Sequence, residues 1–335
     1  MTNPRATLIR PNPMSRSGRA ARLAAGVLLG GVALAACSTG TQTTALSGKT
    51  PGATASAKGA AGGSAKSRSG ASSPSGLPAE LASAYVKTVA DRSSKFSLTF
   101  TETGASPSPI TFSMSGESDF GNQSAEMTMN FANLLPASSS SIPASDLEFH
   151  MLAVGGKLYM EMPPALAEAL NNGNQSVKPW IEMDLAPLES NSNKNAEPRM
   201  GFNPTAFLSV LTSQAESVTK VGTATIQGVK TTEYKATFNL TKLNAILSPA
   251  LRSDLTSAEK LIGTNSITEY VWLDSSGLVR QMESSLAIPV PNGTETTTTK
   301  INFYDYGVAV HITPPPASEV SQLPSLTNLD QLFGN

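Results

Sequence analysis

Cys37 is the only cysteine among the 335 residues, and it directly follows Leu34-Ala35-Ala36. A leucine, two small residues and a cysteine form the pattern at which bacterial lipoprotein processing acylates the thiol and cuts the chain just before it. The setting agrees. Arg5, Arg10, Arg16, Arg19 and Arg22 make a basic leader and Leu23–Leu34 an apolar run, the three-part plan of a secretory signal. That run is about a dozen residues, short of the roughly 20 that a membrane-spanning helix needs. No Arg-Arg pair precedes it, so the twin-arginine route lacks its signature and general secretion of the unfolded chain is expected. The competing reading of Cys37 is an ordinary buried or free thiol, for which an exported chain with one unpaired cysteine offers no evident use. One acyl chain binds a bilayer only marginally, so a durable anchor carries several.

Little else in the sequence has the types and spacing of reactive chemistry. The two histidines, His150 and His311, both fall in strand-like runs and read as structural. No HExxH, CxxC, Walker or GxSxG pattern occurs, and His or Cys spacing supports no metal site. Glu182 and Asp184 share one strand face and read as solvated carboxylates. No catalytic residue, metal or cofactor is therefore expected. An envelope hydrolase with a diffuse site would need a polar pocket with perturbed carboxylates. Of the 24 basic residues the signal removes five, leaving 19 against 25 acidic ones, a mature charge near −6. That excess of acid argues against a nucleic-acid partner and against a broad basic grip on anionic lipid, so attachment to the membrane must come from the lipid on Cys37.

Three units follow from composition: a signal at residues 1–36, Cys37 with a tether reaching residue 77, and a single domain at residues 78–335. From Ser38 to Gly76 the chain is almost entirely Ser, Thr, Ala, Gly and Pro, with Leu46 as its one large apolar residue. Such a segment cannot bury enough apolar surface to order itself. As a random coil it reaches roughly 35 Å, and glycans on its hydroxyls would extend it. With no disulfide available, the domain depends on its hydrophobic core, for which its length suffices.

The elements of that domain are legible in period. Pro78 opens a helix ending near Arg92, with Leu81, Tyr85 and Val89 recurring every fourth residue. The period then becomes two: Phe96, Leu98 and Phe100; Ile110, Phe112 and Met114; Met127, Met129 and Phe131; Leu147, Phe149 and Met151. Each run predicts a strand with one apolar face. Gly155-Gly156 predicts a tight hairpin into Lys157–Met162, and Trp180–Leu185 is the next strand. Asn203-Pro204 caps and opens a second helix carrying Phe207, Leu208 and Leu211 inward. Strands Gly222–Gln227 and Lys230–Asn239 flank Gly228. Helical spacing from Leu243 to Ile262 is broken at Pro249, and strands Ile267–Leu273, Gly277–Ile288, Thr296–Tyr304 and Val308–Ile312 close the chain. The order predicts an α+β fold, a large antiparallel sheet with helices gathered on one face.

Taken in order, several segments resemble the LppX/LprAFG family of actinobacterial lipoproteins: Leu147–Met162 with its Gly155-Gly156 turn, Trp180-Ile181-Glu182-Met183-Asp184, Asn203-Pro204 with Phe207-Leu208, and Gly228–Tyr234. Trp272-Leu273-Asp274 with Gly277-Leu278-Val279-Arg280, and Asp305-Tyr306-Gly307 leading to Pro314-Pro315, complete the set. The resemblance covers nearly all of the chain after Leu77. It implies a strongly curved antiparallel half-barrel, as in LolA/LolB and MucB/RseB proteins, whose concave face is covered by helices around an apolar cavity. It further implies an acyl lipid or glycolipid as ligand and a place on the extracytoplasmic face of the cell membrane.

The residues read alone are compatible with that implication. A sheet face roofed by helices holds acyl chains wherever the helices leave it unfilled, and methionine adapts to such a wall. The candidate lining is Phe96, Leu98, Phe100, Phe112, Met114, Met127, Met129, Phe131, Met151 and Met160, with Met162 alongside. The same residues would equally fill a dry core, leaving a sensor or interaction lipoprotein that binds a membrane-protein partner by its surface. Leu134–Ala144 and Asn191–Asn195 depart from the family's pattern and read as lids or insertions.

Overall fold

The computed structural model describes residues 79–104, 108–130, 148–163, 178–184, 204–246, 252, 255–256, 259–260, 262–290 and 293–322. Cys37 and its signal, the tether, Phe131, Leu134–Ala144, Asn191–Asn195, Asn203 and Pro249 lie outside the described residues.

Helix α1 (Ala79–Asp91) leads into β1 (Ser93–Thr103), β2 (Ile110–Asp119), β3 (Ser124–Asn130), β4 (Glu148–Val154), β5 (Lys157–Glu161) and β6 (Trp180–Asp184). Helix α2 (Pro204–Gln214) then delivers β7 (Ala215–Ile226), β8 (Val229–Asn239), helix α3 (Leu240–Ile246), β9 (Ser266–Asp274), β10 (Val279–Val290), β11 (Gly293–Tyr304) and the short β12 (Val320–Gln322). All twelve strands form one sheet in the order β12-β6-β5-β4-β3-β2-β1-β11-β10-β9-β8-β7. It is two meanders, β1–β6 and β7–β11, stitched together where β1 pairs with β11 from Lys95↔Tyr304 to Thr103↔Thr296. Each neighbouring pair is antiparallel except β12 on β6.

Turn chemistry sets the register locally. Gly155 and Gly156 both have positive φ, 60° and 75°, and join β4 to β5; Gln227 and Gly228, at 48° and 83°, do the same for β7 and β8. Two successive positive φ values twist a two-residue turn the way its strands twist. Between β9 and β10 the device is a side chain: Asp274 Oδ1 accepts from the backbone N–H of Ser276 at 2.8 Å and of Leu278 at 3.0 Å.

Burial alternates along β1, where Ser94, Phe96, Leu98, Phe100 and Glu102 are covered and the residues between them are half-exposed. The covered face shares one core with Leu81 and Ala84 of α1, Phe207, Leu208, Val210 and Leu211 of α2, and Leu240 and Leu243 of α3. Phe96, Phe100, Phe207, Phe238 and Phe303 are among its fully buried side chains, each stabilising the fold by about 1.5–3 kcal/mol relative to exposure.

The structure corrects several readings of the sequence. In α1 the core stripe is Leu81, Ala84 and Thr88, whereas Tyr85 and Val89 face outward. Each residue advances about 100° around a helix, so steps of four drift by about 40° and carry Tyr85 and Val89 away, while a step of three followed by four returns near the start. Strand β7 begins at Ala215, seven residues before the predicted start, because α2 runs straight into it and its exposed residues show no apolar alternation. Val308–Ile312 forms no strand; the Val308 carbonyl instead accepts a 2.6 Å bond from the Ser93 hydroxyl, and the prolines that follow have no N–H for a ladder. The last strand is β12, and His311 is exposed outside any strand.

Candidate functional site

Register brings nine of the ten predicted lining residues onto one face of five consecutive strands; Phe131 is the tenth. One row runs Phe96–Gly116–Met127–Met151–Met160, each residue directly opposite the next. A second runs Leu98–Met114–Met129–Phe149. The third pairs Phe100 with Phe112, whose rings stack at 4.9 Å between centroids. Residues directly opposite across antiparallel strands share a face, so the alternation in each strand has the same phase. Met129 and Met151 are only partly buried against the core, and the others are buried in it. Met162 is buried beside them in sequence.

Gly116 is what lets the first row close. A Cβ there would meet the carbonyl oxygen of Glu126 and lie 2.9 Å from both the Phe96 ring and the Met127 Cα. The space above Gly116 belongs to the phenyl ring.

Followed across β1 into β11, β10 and β9, the same face changes character. Phe96 faces Phe303 and Leu98 faces Ile301, with Met282 and Val271 continuing that row. Two residues further along β1 the partners are polar: Phe100 faces Thr299, then Ser284 and Glu269 in turn. Glu102 faces Thr297, and Glu295 stands opposite Ile288. Glu102, Glu269, Glu295, Thr297 and Thr299 are all buried. Burial pushes the Glu269 carboxyl up to about 8, opposed by a hydrogen bond from Ser284 and reinforced by nearby Glu283, so it is a neutral acid at pH 7. Sequence reading missed this polar stretch. In Glu295-Thr296-Thr297-Thr298-Thr299 both phases are polar, so no alternation marks the inward residues.

The opposite face of β3–β6 carries the charges. His150 Nε2 lies 2.7 Å from Glu126 Oε1 and Nδ1 3.1 Å from Glu161 Oε2, with the ring edge on Trp180 at 5.5 Å. Lys157 pairs with Glu182 at 2.7 Å, and Asp184 is exposed. The two carboxylates bind different ring nitrogens, which ties three strands together and converges on no common point. Among the described residues no group of three His, Cys, Asp or Glu is placed to hold a metal ion, and no helix is long and apolar enough to cross a membrane. Two open clefts lie away from the methionine face: one of about 490 Å³ beside Glu259, Lys260 and Asn265, another of about 670 Å³ lined by Thr223, Thr225, Lys230, Thr232 and Ser275.

No family model and no curated protein matches the chain. Among solved structures it is similar to the Mycobacterium tuberculosis lipoprotein LppX, at 13% identity and TM-score 0.41 over 70% of this chain and 99% of that one. It is similar to LprF from Mycobacterium bovis, at 13% identity and TM-score 0.37 over 73% and 99%. A LolA superfamily protein from Nitrosomonas europaea aligns at 11% identity and TM-score 0.26 over 70% and 94%. LppX and LprF are lipoproteins of the family that the quoted motifs resemble.

Proposed function

We propose that this chain is an envelope lipoprotein, held on the extracytoplasmic face of the membrane by acylated Cys37, whose sheet curves into a half-barrel that binds an acyl lipid or glycolipid on its concave, helix-covered face. The observation that carries the reading is the graded inner face. Rows of Phe, Leu and Met span β1–β5, and on β1, β9 and β11 the same face turns to buried hydroxyls and carboxyls. An amphiphile has that composition, an alkyl part needing apolar walls and a polar part needing a few placed hydrogen-bonding groups. Met127, Met129, Met151 and Met160 supply side chains that adjust to chains of differing length. The work proposed is binding and carriage.

One observation favours a second reading, a sensor or interaction lipoprotein with a filled core. Phe96, Phe100 and Phe303 have next to no exposure, so that part of the inner face is packed solid. Native mass spectrometry separates the two. Protein purified from a lipid-rich envelope is weighed before and after organic extraction. Acyl species that vanish on extraction, and that weaken in Met127→Trp and Met129→Trp, support carriage. A bare mass that regains no lipid on incubation rejects it in favour of a protein partner.

A further inference from the structure

Helix α1 carries a second apolar stripe that neither its core contacts nor the lipid-binding face uses. At about 100° per residue, Leu81, Ala84 and Thr88 form the buried stripe; Glu80, Lys87 and Asp91 cluster on one flank of it; Tyr85, Val86 and Val89 occupy the other. These last are 37%, 66% and 43% exposed, three of the four large apolar side chains exposed among the described residues.

We propose that this stripe lies on the lipid bilayer to which Cys37 ties the chain, setting α1 in the plane of the interface; the proposal rests on the anchoring of Cys37. Three observations lead there. Helix α1 is the first described element of the domain, so it is the part that the tether of residues 38–77 brings nearest the anchor. A random coil of that length would reach roughly 35 Å, and any tether of that length confines the helix beside the bilayer at a high effective concentration. Three side chains are too small a surface to hold a free domain on lipid, and enough for one already confined there. Second, the tether offers little to cover the stripe, because Leu46 and Leu77 are its only large apolar residues. Third, the charges of the helix are turned to the other flank, which suits the boundary between head groups and acyl chains better than a charged protein partner.

The test places a nitroxide on the stripe. In the full-length lipidated protein Cys37 is blocked, so Val86→Cys offers the only free thiol. The protein is reconstituted in vesicles of phosphatidylcholine and phosphatidylglycerol, and collisions of the label with oxygen and with a water-soluble nickel chelate are measured. Expected is loss of nickel contact and gain of oxygen contact relative to the unanchored Cys37→Ser, Val86→Cys chain, with a label at Lys87→Cys remaining in water. Adding Tyr85→Glu and Val89→Glu should return the Val86 label to water while the protein still sediments with vesicles. A label that stays in water on an anchored chain overturns the docking alone. A chain whose mass shows no acyl groups and which does not sediment overturns the anchoring, and the docking with it. Shielding of the label in solution without vesicles overturns the docking in favour of another occupant: a second copy if it depends on concentration, or the leucine-containing segment 323–335 if removing that segment abolishes it.

Discussion

The phenol of Tyr306 donates a 2.6 Å hydrogen bond to the carbonyl oxygen of Val279. That bond ties the loop after β11 to the first residue of β10, and it is one part of a knot. Arg280, the next residue, lies over the Tyr306 ring at 5.4 Å and places Nε and a terminal nitrogen 2.7 Å from Asp274 Oδ2. The other oxygen of Asp274 holds the β9–β10 turn. Residues 274, 279, 280 and 306, apart in sequence and each quoted for the family resemblance, meet at one corner.

Tyr306→Phe removes the donor and leaves the Val279 carbonyl unanswered, a loss of about 1–3 kcal/mol. The midpoint of urea unfolding should fall with an unchanged slope. Burial also raises the pKa of this phenol, opposed by Arg280; burial raises Tyr159 and Tyr234 as well, so ultraviolet titration of the variant should lose the last tyrosine to ionise and keep the other shifted ones.

Asp274→Ala should be the more damaging change at this corner. It strands Arg280 and releases the turn, at a cost of about 3 kcal/mol, near the lower end for breaking a buried pair. His150→Gln breaks two contacts as well, but its partners are 40% and 47% exposed, and the expected loss is below about 1 kcal/mol. Equal losses in the two variants, read from thermal unfolding, would refute this ranking.

Gly116→Ala puts a methyl where the Phe96 ring and the backbone of β3 already stand. Overpacking of this kind costs about 1–3 kcal/mol. Phe96→Leu in the same chain should recover part of it by vacating the contested volume, and a double-mutant cycle measures the recovery.

Glu269 makes stability depend on pH. Its carboxyl titrates near 8 in the folded state against an ordinary value of 4.5, so folding takes up a proton between those values. The stability contribution is fully present below about 4.5 and is lost as the pH rises toward 8, by at most about 1.4 kcal/mol per pH unit. Glu269→Gln should flatten that slope and be the more stable protein at pH 8. A wild-type stability that instead rises across this window would show the carboxyl to be ionised.

Much of this was open to reading in one dimension. Period-two alternation in Phe96–Phe100, Phe112–Met114 and Met127–Met129 located three strands and their inward faces, because a side chain's face in a strand depends only on its place in the alternation. Gly155-Gly156 and Pro204 marked a hairpin and a helix start through backbone rules equally local. Three features were beyond that reach. Pairing of β1 with β11 joins residues 95–103 to 296–304, and no local pattern says which distant strand completes a ladder. The inward Thr and Glu of β11 sit in a run polar in both phases, so their burial depends on what lies across from them. In α1, a helix flanked by apolar residues on two sides, the sequence permitted Leu81 to bury with either Tyr85 and Val89 or Ala84 and Thr88; the packing of α2 and the sheet against one side left Tyr85, Val86 and Val89 outside. Cys37 is the converse case, since its reading as a lipidation site rests on the short pattern around it alone. Local backbone chemistry is written residue by residue, whereas burial is a property of the neighbour, and the neighbour is chosen only when the chain closes on itself.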